Sequence, residues 1–261
     1  MLRCRFVGPL RAELLMSSLT YFGYSAVQVE LTNLRVYIDP YFTSPGDLAN
    51  LQPGHLVLFS HGHFDHGVLL TPKLYEMWKC QFVAPKALVN WLRRKYKKKV
   101  PAEAFLPLDV GQSLYYGDTK ITAVPALHPL NRLGKTIMAM FARSRAPGKP
   151  VNGYYFEGYY HAGATIYSAD IAKALVDHPV HTAFVPIGGK YATASPEEAL
   201  RIAEELNAKR LVPMHWQPLG EQVFYRYQPS HLMKLAKDNE SRVEVLPLAI
   251  GQRVELQQVI K

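Results

Sequence analysis

The chain is expected to fold as one α/β domain in which two sheets carry helices on their outer faces. Two observations point there: a globular composition over 261 residues, and strands that precede helices twice along the chain. Hydrophobic residues make up 48% and charged residues 20%, which excludes an intrinsically disordered chain. A chain of this length can bury one sizeable core.

The elements follow in order. Residues 1–18 mix apolar with basic residues around Gly8-Pro9 and are expected to be an N-terminal extension, with a single domain over 19–261. Ser25 to Leu31 alternates as a strand, and Val36-Tyr37-Ile38 runs into Asp39-Pro40. Leu56 to Ser60 is a continuous apolar run, as a strand buried on both faces would be. Thr71-Pro72 opens a helix as N-cap and N1 proline, Gln81 to Ala84 is a short strand, and Pro85 starts a second helix through Leu88 and Leu92. Strands are expected over Thr119–Val124, Thr136–Arg143, Gly153–Glu157 and Thr165–Ser168, with a loop over residues 145–150. A helix over Ile171–Val176 leads to a strand, Thr182–Ile187. Ser195-Pro196-Glu197-Glu198 is a capping box that opens a helix to about Asn207. A strand from Arg210 to Met214 ends at His215, and a helix near Ser230 to Lys237 precedes two closing strands.

The longest apolar runs, such as Leu56-Val57-Leu58-Phe59, are too short to cross a bilayer. Leu14-Leu15-Met16 is too brief for a signal peptide. The expected setting is therefore cytoplasmic, with no membrane partner. Cys4 and Cys80 lack any second cysteine or histidine at ligand spacing and read as reduced thiols. The net charge of +9 favours an anionic partner, either a small anionic substrate or nucleic acid. Much of that excess sits in Arg93-Arg94-Lys95 and Lys97-Lys98-Lys99. We read this run as a solvated helix end, where cations suit the negative pole of the helix dipole.

Chemistry concentrates at one place. His61, His63, Asp65 and His66 form the spacing H-x-H-x-D-H directly after a buried strand. Alternation lets His61 and His63 point the same way, while the turn carries Asp65 and His66 towards a second point. Imidazole and carboxylate together suit zinc, with iron or manganese as alternatives. One or two such cations generate a hydroxide nucleophile at neutral pH and stabilise the attacked oxygen.

With this spacing the sequence resembles the metallo-β-lactamase superfamily over residues 19 to about 220. Further matches are Leu19-Thr20-Tyr21-Phe22-Gly23-Tyr24-Ser25-Ala26, Tyr37-Ile38-Asp39-Pro40, Pro186-Ile187-Gly188-Gly189, the helix start at Pro196-Glu197-Glu198-Ala199, and Pro213-Met214-His215. These look like the small metal-dependent hydrolases that include the L-ascorbate-6-phosphate lactonases. The resemblance implies a four-layer αββα sandwich with the metals at one edge between the sheets. It also implies that His61, His63 and His128 bind one metal and that Asp65, His66 and His215 bind the other. Asp65 would in addition orient the nucleophile or accept its proton.

Two positions depart from the family. Relatives place a bridging aspartate in His-Ala-Gly-Asp-Thr, where this chain has His161-Ala162-Gly163-Ala164-Thr165. The gap-free alignment therefore leaves no bridge. The competing alignment takes Asp170, at the end of a β-rich run, and we adopt it because a bridging carboxylate eases two neighbouring cations. Tyr24 stands where relatives often carry histidine. Lys190, after Gly188-Gly189, is a candidate to hold the substrate's anionic group. His161, His178 and His181 read as structural.

The expected activity is metal-dependent hydrolysis of an anionic ester, lactone or phosphodiester. Two alternatives stand beside it: a nuclease of the same fold, which the charge favours but no aromatic-basic stripe supports, and a non-catalytic ligand-binding descendant, which rests on Ala164 alone.

Overall fold

The computed structural model describes residues 13–42, 48, 50–128, 146–189, 193–217 and 227–260. Among them are two seven-stranded sheets. The first is built from β1 (Glu13–Gly23), β2 (Ala26–Glu30), β3 (Arg35–Ile38), β4 (Leu56–Leu58), β5 (Gln81–Ala84), β6 (Phe105–Pro107) and β14 (Arg253–Ile260), in the order β14-β1-β2-β3-β4-β5-β6. The second holds β7 (Ser113–Tyr116), β8 (Thr119–Pro125), β9 (Asn152–Phe156), β10 (Tyr159–His161), β11 (Thr182–Pro186), β12 (Arg210–Met214) and β13 (Glu244–Val245), in the order β13-β12-β11-β10-β9-β8-β7. Each sheet is antiparallel in its first strands and parallel in its later ones. Pairing from β3 through β6 and from β10 through β13 is parallel.

The period-two alternation of strands sorts the core into layers. On β3 and β4, Val36, Ile38, Leu56 and Leu58 face the core between the sheets, where they join Tyr154, Phe156 and Phe184. Their neighbours Tyr37, Val57 and Phe59 face outwards, under α1 (Thr71–Trp78) and α2 (Lys86–Tyr96), where Leu74, Leu88, Val89 and Leu92 cover them. Burial on both faces explains why Leu56 to Phe59 is continuously apolar. On the second sheet, α3 (Ala169–Ala174), α4 (Pro196–Glu205) and α5 (Pro229–Asp238) form the outer layer, with Ile171, Leu200, Ile202 and Leu232 turned inwards. This is the expected αββα sandwich.

Several local expectations are corrected. β1 begins at Glu13 and pairs with β14 from Glu13 opposite Ile260 to Thr20 opposite Arg253, so residues 13–18 belong to the first sheet rather than to an extension. Residues 1–12 lie outside the described residues. Thr71 is the first residue of α1, not its cap; its hydroxyl donates to the carbonyl of Val68 at 2.8 Å. Thr165 to Ser168 forms no strand, only the isolated bridge of Ile166 with Leu127. The strand expected over Thr136–Arg143 falls outside the described residues. The capping box at Ser195 and Glu198 is present with both of its hydrogen bonds. No helix among the described residues is long and apolar enough to cross a membrane.

Candidate metal centre

Strand ends of the two sheets meet at one edge, and there the centre assembles. β3 ends in Asp39, β4 runs on into Ser60 and His61, β8 leads to His128, and β12 ends in His215. Two groups of ligand atoms result. One comprises His61, His63 and His128, the other Asp65, His66 and His215, and within each the ligand atoms lie inside 4.8 Å of one another. The groups adjoin, since the rings of His61 and His66 are 4.1 Å apart between centroids. All six residues except His63, which is half-buried, are buried.

Asp39 aims both groups. Its Oδ1 accepts from the backbone N–H of Ser60 at 2.7 Å. Its Oδ2 accepts from the hydroxyl of Ser60 at 2.6 Å and from Nδ1 of His66 at 2.7 Å. The Ser60 hydroxyl, having given its proton to Asp39, turns a lone pair to Nδ1 of His61 at 2.9 Å. Both imidazoles therefore carry their proton on Nδ1 and present a bare Nε2, the tautomer a metal ligand needs. Nδ1 of His63 lies 2.7 Å from that Nε2 of His61, so the two ring nitrogens converge on one point. The far side of His63 is closed by Gly148, where a Cβ would sit 2.5 Å from Nε2 of the ring. The loop carrying Gly148 is pinned by the N–H of Gly62 donating to the carbonyl of Pro147 at 2.9 Å.

His215 is braced by the opening hairpin. Its N–H donates to the carbonyl of Tyr24 at 2.7 Å, and both residues hold left-handed backbone, with φ of 57° and 55°. The Tyr24 ring stands edge-on to the His215 ring at 5.5 Å. Burial, with the nearby Asp65 charge, raises the Tyr24 phenol and keeps it protonated.

Electrostatics suit cations. Burial and the surrounding imidazoles hold His61 and His215 well below the ordinary histidine range and push His63 down to about 3, so these rings are neutral donors. Burial opposes a charge on His66, but the Asp39 carboxylate outweighs it and raises that pKa. Burial also raises Asp65. Its Oδ1 is buried and accepts no hydrogen bond, while Oδ2 lies 3.8 Å from Nε2 of His215. A buried carboxylate oxygen with no partner, set among neutral imidazole nitrogens, fits a divalent cation.

The structure thus brings together His61, His63, Asp65, His66, His128 and His215, the set that the resemblance implied. It does not bring Asp170 to them. That side chain is 67% exposed, ion-paired with Lys173 at 3.1 Å, and sits in the first turn of α3 behind the N-cap Ser168. A bridging role for Asp170 does not fit this position. Ala164 is buried and follows Gly163. Lys190 lies outside the described residues. His161 is structural: its Nε2 donates to the carbonyl of Ser25 and its Nδ1 accepts from the N–H of Gly163. Asp39 and Ser60 were missed as site residues. An aspartate ending a strand beside the histidine-bearing strand was the available signal.

Fold and site define a metal-dependent hydrolase of the metallo-β-lactamase type. The model for the Beta-lactamase superfamily domain matches residues 34–216, and the chain belongs to that family. A UPF0173 metal-dependent hydrolase from Pyrobaculum neutrophilum is 29% identical over 203 residues, covering 75% of this chain and 82% of the relative. One from Exiguobacterium is 30% identical over 208 residues, covering 76% and 85%. The metallo hydrolase Igni18 from Ignicoccus hospitalis superposes with a TM-score of 0.73 at 22% identity, over 92% of this chain and 98% of that one.

Proposed function

We propose that the protein hydrolyses a small anionic ester, a lactone or a phosphodiester, at divalent cations held by His61, His63, His128, Asp65, His66 and His215. The observation that carries this reading is the pair of adjoining triads, both oriented by Asp39. Zinc, iron or manganese bound there would acidify a water and polarise the scissile carbonyl or phosphoryl bond.

The remaining work falls to the chain's own residues. Asp65 would help hold a cation and is placed to orient the attacking water or accept its proton. Asp39 and Ser60 keep His66 and His61 in the ligating tautomer. Buried Tyr24 stands against His215, and with five of the six ligand residues buried, little solvent reaches these groups, which strengthens each charge interaction. Lys149 is exposed, next to the Gly148 that closes on His63, and meets the substrate's anionic group. The net charge of +9 supports an anionic substrate.

The test is turnover of a panel of lactones, phosphodiesters, neutral and anionic carboxylic esters, and short RNA and DNA strands by zinc-, iron- and manganese-loaded protein. His66→Ala serves as the inactive control. Hydrolysis of an anionic member, with a raised KM in Lys149→Ala, is expected. A preference for neutral esters that Lys149→Ala leaves unchanged would remove the anionic assignment.

A further inference from the structure

The charges around the two triads are unequal. Among the described residues that form them, Asp65 is the single carboxylate. The second buried carboxylate, Asp39, stands directly behind His66 at 2.7 Å. The Asp65/His66/His215 triad therefore faces two negative charges. The His61/His63/His128 triad has none of its own, and its link to Asp39 runs through the Ser60 hydroxyl, 2.9 Å from His61. The triads adjoin, with His61 and His66 rings 4.1 Å apart. Dications held in adjoining triads would repel four times as strongly as unit charges at the same separation.

A carboxylate between the triads would relieve that repulsion, and the turn after β10 is where the backbone could supply one. Gly163 packs on Ser60, the neighbour of His61, so closely that a Cβ would lie 3.0 Å from the Ser60 Cβ. Thr165 Oγ1 accepts from the N–H of Leu127, the neighbour of His128, at 2.9 Å. Between these two contacts stands Ala164, buried and without a donor atom.

We infer that the centre fills unequally: the Asp65/His66/His215 triad takes one divalent cation tightly, and the His61/His63/His128 triad holds a second at least tenfold more weakly, because Ala164 supplies no charge between them. This rests on the cation assignment of the proposed function and adds the order of filling. It makes the protein a one-cation enzyme at low metal concentration.

Cobalt(II) titration followed by visible absorption, with cation content by mass spectrometry after dialysis against a weak chelator, tests it. Wild-type protein retains one equivalent and takes a second at tenfold or higher free cobalt. Asp65→Asn loses the retained equivalent. His128→Gln keeps it and loses the weak one. Ala164→Asp brings the two affinities together, and circular dichroism establishes that each variant is folded. If Ala164→Asp does not fold, the wild-type isotherm and the two ligand variants still decide. Two equivalents of equal affinity in the wild type overturn the inference and leave the hydrolase reading standing. Loss of the retained equivalent in His128→Gln but not in Asp65→Asn reverses the order and also overturns it. Folded wild-type protein that binds no cobalt removes the proposed function itself.

Discussion

Asp39→Asn probes how the centre is held without touching any of its six ligand residues. Asp39 is fully buried with φ of 45°, a backbone that asparagine adopts readily, so strain does not confound the change. The carboxylate accepts three hydrogen bonds, from Ser60 N, Ser60 Oγ and His66 Nδ1. Asparagine keeps its oxygen on the Ser60 N–H and turns an NH2 group towards the other two. The Ser60 hydroxyl can rotate to accept from it. His66 can do so only by moving its proton from Nδ1 to Nε2, the nitrogen it would offer a cation. Hydrogen bonds to a charged group contribute about 1.5–3 kcal/mol each, so the expected loss of stability is about 2–4 kcal/mol after the serine readjusts. Loss of such an orienting partner costs roughly 10–100-fold in metal affinity. Denaturant unfolding of the metal-free protein measures the first quantity, and chelator competition monitored by mass spectrometry measures the second. Zinc affinity within threefold of wild type would refute the claim that Asp39 sets the His66 tautomer.

Other substitutions separate near neighbours from true site residues. Asp170→Ala should leave cation content and turnover unchanged and alter stability by less than about 0.5 kcal/mol, since its pair with Lys173 is solvent-exposed; loss of bound cation would restore it to the site. Gly148→Ala puts a Cβ against His63 and should weaken cation binding at that triad about tenfold, equivalent to about 1.4 kcal/mol. Unchanged affinity in that variant would show that the loop yields freely. The metal-free protein should also lose stability as pH falls below about 6.5, because the unfolded chain protonates its histidines there. In the folded state His61, His63, His161 and His215 resist protonation, His63 down to about 3. Their stabilisation is thus complete above pH 6.5 and lost progressively down to about pH 3. His66 and Asp65, whose folded pKa values are raised, act in the opposite sense but are outnumbered. Thermal melts at pH 7 and 5 check this, and a higher midpoint at pH 5 would contradict it.

Much of the centre was legible because strand ends and short spacing mark it. His61, His63, Asp65 and His66 lie within six residues of one another, after an apolar run long enough only for a buried strand. His128 and His215 follow β8 and β12 and were placed by resemblance. Asp170 was misplaced for a physical reason. An aspartate at the start of a helix looks the same in sequence whether it points into a cleft or into solvent, and here Ser168 caps α3 while Asp170 pairs outwards with Lys173. Thr165 to Ser168 has β-forming composition, yet the backbone there spends its hydrogen bonds on Leu127 and Ala194 instead of a full ladder.

The sequence by itself determined the layer architecture and the ligand-bearing loop. Both follow from local rules, strand alternation against helical periodicity and donor types at short spacing, which need no knowledge of distant partners. Only the tertiary structure decided that Asp39 orients His66 and His61, that Gly148 closes on His63, that Tyr24 braces His215, and that residues 13–18 complete the first sheet against β14. Each of these contacts joins residues far apart in the chain, and no local pattern encodes which distant loop will arrive at a given strand end. The pairing is settled by how the two sheets pack, when burial of their shared apolar faces brings the ends of β3, β4, β8, β10 and β12 to one edge.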